Sequence, residues 1–319
     1  MKIHAMAPVL LLGIITLVIG HFISVQIVED SKEVARIKLA STEPLLMVNR
    51  LMNVNEWNPI SKAAQKAAMD KHNEIIAQAN ESQERIDRHA VIIVWLAVGM
   101  VVFTILLYLK STYLSASVAL SLAFSALLFL RIGVDAPSME IQVYSENLKI
   151  PVKISGAHVY EYLKEGSYTK YLPFTEFIKN KEVGFDQVFY GKIYYQYQTK
   201  SILESIALLF KAKNHVVAWA LLLFSVILPL LKLLLNVWML LWPRFGQKKA
   251  YAAVVYFLSK WSMADVFVVA MFLTYLSLQN MGQQGVTVES QVSIGFYFFL
   301  AYVILSIASS MLTQNWARK

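Results

Sequence analysis

The chain has 319 residues, of which 57% are hydrophobic and only 16% are charged, and its mean hydropathy is +0.51. This composition is too apolar for a water-soluble fold of that length and predicts a multi-pass membrane protein. The net charge of +8 does not indicate a nucleic-acid partner, because no basic helix or aromatic-interleaved basic stripe occurs and several cations stand at the ends of apolar runs.

Metal and thiol chemistry find no support in the sequence. There is no cysteine, which excludes disulfides, thiolate catalysis and cysteine-ligated zinc. The six histidines are scattered, without the spacing that would place two ligands on one helix face. We therefore expect no metal site and no cofactor.

The first predicted element is an N-terminal membrane anchor, residues 1–28. Its segment Ala7–Ile27 is uncharged and, at about 1.5 Å per residue, long enough to cross a hydrocarbon core of about 30 Å. A cleaved signal peptide is the alternative. The retained anchor is favoured because the apolar stretch is long and no A-x-A-like cleavage site follows it.

Residues 29–89 are polar and predict an extracytoplasmic helical hairpin. They are rich in Ala, Glu, Gln, Asn and Lys, with apolar residues at roughly helical spacing. The segment Asn53–Pro59 is the best candidate for the turn, since Asn and Pro interrupt helices. Residues 90–132 then predict two spans, Ala90–Leu109 and Ser111–Leu130, joined by a tight turn.

Residues 133–213 predict a small extracytoplasmic β-containing domain. Polar and apolar side chains alternate in Met139–Tyr144 and in Val188–Tyr197, as in half-buried strands. Its many tyrosines either cover a sheet face or lie against lipid headgroups. These residues are Tyr160, Tyr162, Tyr190, Tyr194, Tyr195 and Tyr197.

Residues 214–319 complete the set with three spans, Val216–Trp242, Ala252–Leu278 and Val292–Thr313. The predicted fold is an all-α membrane bundle of six transmembrane helices with an extracytoplasmic helical hairpin and a small extracytoplasmic β domain. The basic residues of the short loops fall on one side if both termini are cytoplasmic. They are Lys2, Lys110, Arg244, Lys248, Lys249, Arg318 and Lys319.

Three charged residues lie within predicted spans, where a charge costs a few kcal/mol on insertion scales and often marks function. Lys232 lies about 15 Å from the interface at Trp242 by helical rise, farther than a lysine side chain extends. It either has a functional or bundle-pairing role or is a lysine that snorkels toward the interface. Lys260 is either an interfacial cation beside Trp261 or functional.

Asp265 is the deepest acidic side chain of these spans. A rotation of about 140° separates it from Lys260, so we expect it to pair with Lys232 on the preceding antiparallel helix. Pro229 should bend that helix near Lys232. The bend either opens a polar cavity or is an ordinary feature of membrane helices.

Two sequence blocks, LLLFSVILPLLKLLL and LSKWSMADVFVVAMF, resemble the paraquat-inducible protein A family in wording, order and spacing. The resemblance extends over roughly Ser111–Thr313 and includes Pro137. Its motif positions in this chain are Ser225, Pro229 and Lys232 in the first block and Lys260, Trp261, Ser262, Met263, Asp265 and Val266 in the second.

The resemblance implies a bacterial inner-membrane protein with a four-helix module and an extracytoplasmic β region between its first two helices. Family members are associated with MCE-domain lipid-transport systems, which implies membrane lipids and an MCE-domain protein as partners. This chain differs from many members, since it carries one module instead of two and lacks the cysteines of their zinc ribbons.

The leading functional prediction is therefore a non-enzymatic membrane subunit that supports lipid transport or envelope integrity. The alternative is a membrane-anchored sensor or scaffold that binds a partner through the helical hairpin. Catalysis is not expected, because the sequence shows no Ser-His-Asp arrangement, carboxylate pair, phosphate loop or metal cluster.

Overall fold

A computed structural model describes residues 6–40, 62–155, 182–241 and 285–317, together with residue 157 and isolated positions between 266 and 277. Its helices are α1 (Ala7–Ala40), α2 (Lys62–Tyr108), α3 (Leu114–Asp135), α4 (Ile202–Lys211), α5 (His215–Leu241) and α6 (Ile294–Ala317). Its strands are β1 (Met139–Ser155), β2 (Glu182–Lys200) and β3 (Thr287–Val292).

Five helices among these residues are long and apolar enough to cross a membrane: α1, the part of α2 from Ala77, α3, α5 and α6. This agrees with the predicted multi-pass membrane protein. Most of the fifth predicted span, Ala252–Leu278, lies outside the described residues, although positions 270, 271, 273 and 274 are helical. The predicted turn Asn53–Pro59 also lies outside them.

The helix α3 is the centre of the bundle, and it contacts α1, α2, α5 and α6. Its sequence is rich in Ala and Ser, and small residues let membrane helices approach closely. Gly133 lies directly against the backbone of Phe299 on α6. Farther along the same interface, the Ser309 hydroxyl donates a hydrogen bond of 2.8 Å to the carbonyl of Ala119.

The helices α1 and α2 are longer than a membrane is thick. At about 1.5 Å per residue, the 34 residues of α1 extend about 50 Å and the 47 residues of α2 about 70 Å. Each helix joins an apolar stretch, without a break, to part of the polar segment 29–89, for which the sequence predicts a hairpin. Arg85 joins them there through ion pairs with Asp30 at 3.4 Å and Glu33 at 3.3 Å.

The sheet is antiparallel, with strand order β2-β1-β3. The strands β1 and β2 pair along their whole length, from Met139 with Lys200 to Ser155 with Glu182. The short strand β3 pairs only with the first residues of β1, so the sheet has three strands at its base and two beyond it. Tyr197 is buried on the face toward α1, whereas Tyr195 is exposed.

The two ends of the bundle differ. At one end, Met6, Tyr108 and Leu240 share an apolar cluster against which Leu312 and Trp316 pack. The start of α1, the α2–α3 turn and the last turns of α5 and α6 therefore lie together. The sheet stands at the opposite end, where backbone hydrogen bonds from residues 293 and 295 to residues 138 and 137 tie β1 to the start of α6.

Candidate functional site

The helix α5 is interrupted inside the membrane. A π-helical turn, Leu223–Ile227, separates the α-helical segments His215–Leu222 and Leu228–Leu241. Pro229 explains it, because proline has no N–H to donate to the carbonyl of residue 225 and its ring crowds that carbonyl. The N–H of residue 228 instead bonds to the carbonyl of Leu223, five residues back.

Ser225 and Pro229, both predicted as site residues, are buried, Ser225 within the π-helical turn and Pro229 in the α-helical segment that follows it. The Ser225 hydroxyl donates to the carbonyl of Leu221. A hydroxyl bonded in this way satisfies a backbone acceptor and often accompanies a bend. The two residues therefore shape α5, and the hydroxyl of Ser225 is already committed to the helix itself.

Lys232 is half-buried, and a polar residue one turn later lies deeper in the bundle. Asn236 is buried, and its Nδ2 atom donates to the Oγ atom of Ser310 on α6 at 2.8 Å. Ser310 in turn donates to the carbonyl of Ser306 at 2.8 Å. The sequence reading missed Asn236, although its spacing from Lys232 places both on one face of α5.

The interface between α3 and α6 carries further buried hydroxyl groups. Thr313 donates to the carbonyl of Ser309 at 2.8 Å. On α3, the Oγ atoms of Ser117 and Ser125 are buried and find no hydrogen-bond partner among the described residues. The bundle interior thus offers polar groups at several depths, which an all-aliphatic interior would not.

The second predicted motif lies outside the part of the chain that the structure describes. This applies to Lys260, Trp261, Ser262, Met263 and Asp265, while Val266 is a described helical position with an exposed side chain. The pairing of Lys232 with Asp265 therefore stays a prediction.

A cavity of about 340 Å³ lies where the outer end of α5 meets the base of the sheet. Its walls are mostly apolar and include Met139, Ile141, Leu221 and Met271. Polar groups, among them Lys200, also line it. This combination can accept a hydrocarbon chain beside a polar group.

Ion pairs form a layer at the same end of the bundle. The buried carboxylate of Glu140 lies 2.9 and 3.1 Å from the Nζ atom of Lys38 and also accepts a hydrogen bond from the Gln142 amide. The Tyr197 hydroxyl donates to the same carboxylate, and burial together with the negative charge of Glu140 raises the pKa of Tyr197 above its ordinary value. This group fixes α1 to the base of the sheet.

Metal binding has no candidate in this geometry: within the ranges that the structure covers, no three His, Asp or Glu side chains come together as a possible ligand set. The polar groups that converge are instead hydroxyls, amides and ion pairs. Such groups hold helices together and contact polar parts of ligands.

No curated protein and no solved structure gave a significant match to the chain. The family model of paraquat-inducible protein A matches residues 188–317. The match begins later than the resemblance over Ser111–Thr313, yet it contains all predicted site residues. The part of the chain from the middle of β2 to the end of α6 is thus similar to paraquat-inducible protein A, which confirms the resemblance that the two membrane motifs predicted.

Proposed function

We propose that this chain is a PqiA-like inner-membrane subunit without catalytic activity of its own, which handles membrane lipid for an MCE-type transport system and so supports envelope integrity. In this proposal both termini are cytoplasmic and the sheet stands outside the cytoplasm. The observation that carries the proposal is the apolar cavity between α5 and the base of the sheet.

The position of this cavity suits a lipid that leaves the bilayer. Its apolar walls replace the hydrocarbon environment of an acyl chain, and its polar lining groups offer hydrogen bonds to a headgroup. Leu221, one of the wall residues, lies two residues before the π-helical turn of α5. A π-helical turn has a weaker hydrogen-bond pattern than an α-helix, so α5 can adjust there at low cost.

The test is to fill the cavity. In a strain that lacks the native gene, we expect the Leu221→Trp variant to leave the envelope more permeable than the wild-type chain does, because the indole occupies the space of the lipid chain. Leu223→Trp is the matched control, since Leu223 is exposed on the same helix. Both variants should be produced in similar amounts with similar thermal stability.

Full restoration of the barrier by a folded Leu221→Trp variant would contradict the use of this cavity. The partner is tested separately, by purifying the wild-type chain from its native envelope under mild conditions. Recovery of an MCE-domain protein would support the transport assignment, whereas recovery of a kinase or a protease would favour a role in sensing.

A scaffold or sensor is the second candidate, and the continuity of α1 and α2 favours it. Both helices run without a break from the membrane to the polar region, where Arg85 joins them. A partner bound to the outer parts would therefore act on rigid elements. A photoactivatable cross-linker attached at Glu74→Cys, with no competing thiol in the chain, would identify such a partner.

A further inference from the structure

A basic cavity lies on the α1 side of the sheet. It has a volume of about 370 Å³ and is bounded by α1, the last residues of β2 and the start of α4. Three cations reach it, Lys32 and Arg36 from α1 and Lys200 from β2, against one carboxylate, that of Glu204. The helical spacing of Lys32 and Arg36 places both on one face of α1.

The single carboxylate is already committed. Glu204 accepts a hydrogen bond of 3.1 Å from the backbone N–H of Ser201, and the Ser201 hydroxyl accepts one of 3.1 Å from the N–H of Glu204. This capping box holds the negative charge at the positive end of α4. The negative charge of Glu204 is thus partly balanced by the helix end, and the three cations outnumber it at the cavity.

The cations are only partly neutralised. The Nζ atom of Lys32 lies 3.5 Å from the Oδ1 atom of Asp135. The other carboxylate oxygen of Asp135, Oδ2, pairs with the Nη2 atom of Arg131 at 3.2 Å. Arg36 and Lys200 form no ion pair with another residue in the described ranges. The cavity thus has a net positive charge and two cationic side chains with open hydrogen-bond donors.

The cavity lies next to the point where the apolar runs of α1 and α3 end, which is where a bilayer would place its headgroups. Lys32 follows closely after Ile27, the end of the first apolar run, and its partner Asp135 is the last residue of α3. The apolar residues Ala35, Leu39 and Pro137 line the same space. A cation-rich, half-apolar space at this level matches the phosphate of a lipid whose chains remain in the bilayer.

We propose that this cavity binds the phosphate group of an anionic lipid headgroup through Arg36 and Lys200, with Lys32 adding positive charge beside them. The arginine supplies several N–H donors in a planar array that suits phosphate oxygens. The site is composite, since α1 lies outside the family match while Lys200 and α4 lie inside it. Lys200 also lines the apolar cavity between α5 and the sheet, whereas Arg36 does not, so Arg36→Gln is the variant that tests this site separately from the proposed lipid transfer.

The experiment uses the purified full chain in lipid nanodiscs made of phosphatidylcholine and phosphatidylglycerol, with retained lipid counted by mass spectrometry of the intact complex. Both lipids carry a phosphate, but the choline cation of phosphatidylcholine is repelled by the basic cavity, so we expect the wild-type chain to prefer phosphatidylglycerol about tenfold. Arg36→Gln and Lys200→Gln should each lose most of that preference. Arg88→Gln, at an exposed arginine of α2, is the matched control and should keep it.

Inorganic phosphate at millimolar concentration distinguishes the two sources of the ligand. Competition with phosphatidylglycerol would show that the phosphate alone is recognised, and its absence would show that the lipid as a whole is needed. The proposal would be overturned if the wild-type chain retained both lipids equally and phosphate had no effect. It would also be overturned if the folded Arg36→Gln and Lys200→Gln variants kept the wild-type preference for phosphatidylglycerol. The two proposals can fail separately, because Leu221→Trp leaves Arg36 unchanged. If Leu221→Trp made the envelope permeable but the wild-type chain showed no preference for phosphatidylglycerol, only the phosphate site would be refuted.

Discussion

Asn236 brings an amide into the interior of the membrane bundle, where its Nδ2 atom lies 2.8 Å from the Oγ atom of Ser310. Water cannot replace a lost partner at that depth, although hydrogen bonds between membrane helices contribute only about 0.6 kcal/mol on average and at most about 1.7 kcal/mol. The sequence predicted Lys232 as a site residue because it is charged. It did not predict Asn236 on the same helix face, since a single uncharged Asn in an apolar run forms no recognisable motif.

We expect Asn236→Leu and Ser310→Ala each to destabilise the bundle by about 1 kcal/mol. The double variant should be less destabilised than the sum of the two, because each single change already removes the shared hydrogen bond. Thermal unfolding in one detergent measures the three variants. Additive losses would show that the two side chains act independently.

The Tyr197 hydroxyl lies outside the membrane spans. We expect it to make the folded chain less stable at alkaline pH. Its pKa is raised by burial and by the charge of Glu140, so the folded chain keeps this proton at a pH where the unfolded chain has lost it. The free energy of unfolding should therefore fall as the pH rises above the ordinary tyrosine value of about 10. Lys192 acts in the same direction: burial lowers its pKa, but the hydrogen bond to Tyr144 and the charges of Tyr144, Tyr194 and Glu289 together raise the pKa above its ordinary value.

Unfolding by denaturant at a series of alkaline pH values measures this slope. Tyr197→Phe should start from a lower stability, because the hydrogen bond to Glu140 is lost, and should then show a shallower decline. Tyr195→Phe, at an exposed position on the same strand, should keep the wild-type slope. Equal slopes in all three proteins would mean that Tyr197 does not hold its proton more tightly in the folded state.

At the scale of elements, the contact between α3 and α6 depends on a glycine. A Cβ atom added at Gly133 would lie 2.6 Å from the backbone N atom of Phe299, and backbone cannot yield as a flexible side chain can. We expect Gly133→Ala to cost about 1–3 kcal/mol, the range for overpacked interiors. Gly99→Ala on α2 is the control, because no atom lies within 4 Å of its added Cβ.

The control should be neutral or slightly stabilising, since Ala is the better helix former by about 1 kcal/mol. Thermal unfolding of both variants gives the comparison. A Gly133→Ala variant as stable as the Gly99→Ala variant would show that α3 and α6 do not approach this closely.

The sequence predicted the type of most elements better than their length. Apolar runs revealed the spans, and alternation revealed β1 from Met139 to Tyr144. The strand nevertheless continues to Ser155. The sequence pattern did not show this, because irregularities between Val143 and Tyr144 and near Asn147 shift the side chains out of strict alternation. Asn147 has a φ of 53°, a left-handed conformation that the pattern of side chains does not reveal.

The lengths of α1 and α2 were not predicted from the sequence, for a different reason. The change from apolar to polar composition near Glu29 marks the membrane surface, yet a helix satisfies its backbone hydrogen bonds in lipid and in water alike. Residues after it, rich in Glu, Lys and Ala, are good helix formers, so α1 continues to Ala40. Tertiary pairings such as Asn236 with Ser310 depend on which helices become neighbours, and spacing within one helix does not specify that.

At the scale of the whole molecule, the packing separates two ends of different character. Met6, Tyr108, Leu240 and Trp316 meet at one end, and the sheet stands at the other. The arrangement places Lys110 on the same side as Met6 and Trp316, which agrees with the orientation that the short basic segments of the sequence predict.

Labelling of introduced thiols tests this orientation, since the chain has no cysteine of its own. Thr112→Cys lies exposed in the α2–α3 turn, and Gln196→Cys lies exposed on β2 at the sheet end. A membrane-impermeant maleimide applied to intact spheroplasts should label Gln196→Cys alone, and inverted membrane vesicles should give the reverse pattern. Lysed membranes, in which both positions should react, control for accessibility. Reaction of Thr112→Cys in intact spheroplasts would reverse the orientation and place the apolar cavity, and with it the proposed lipid site, on the cytoplasmic side of the membrane.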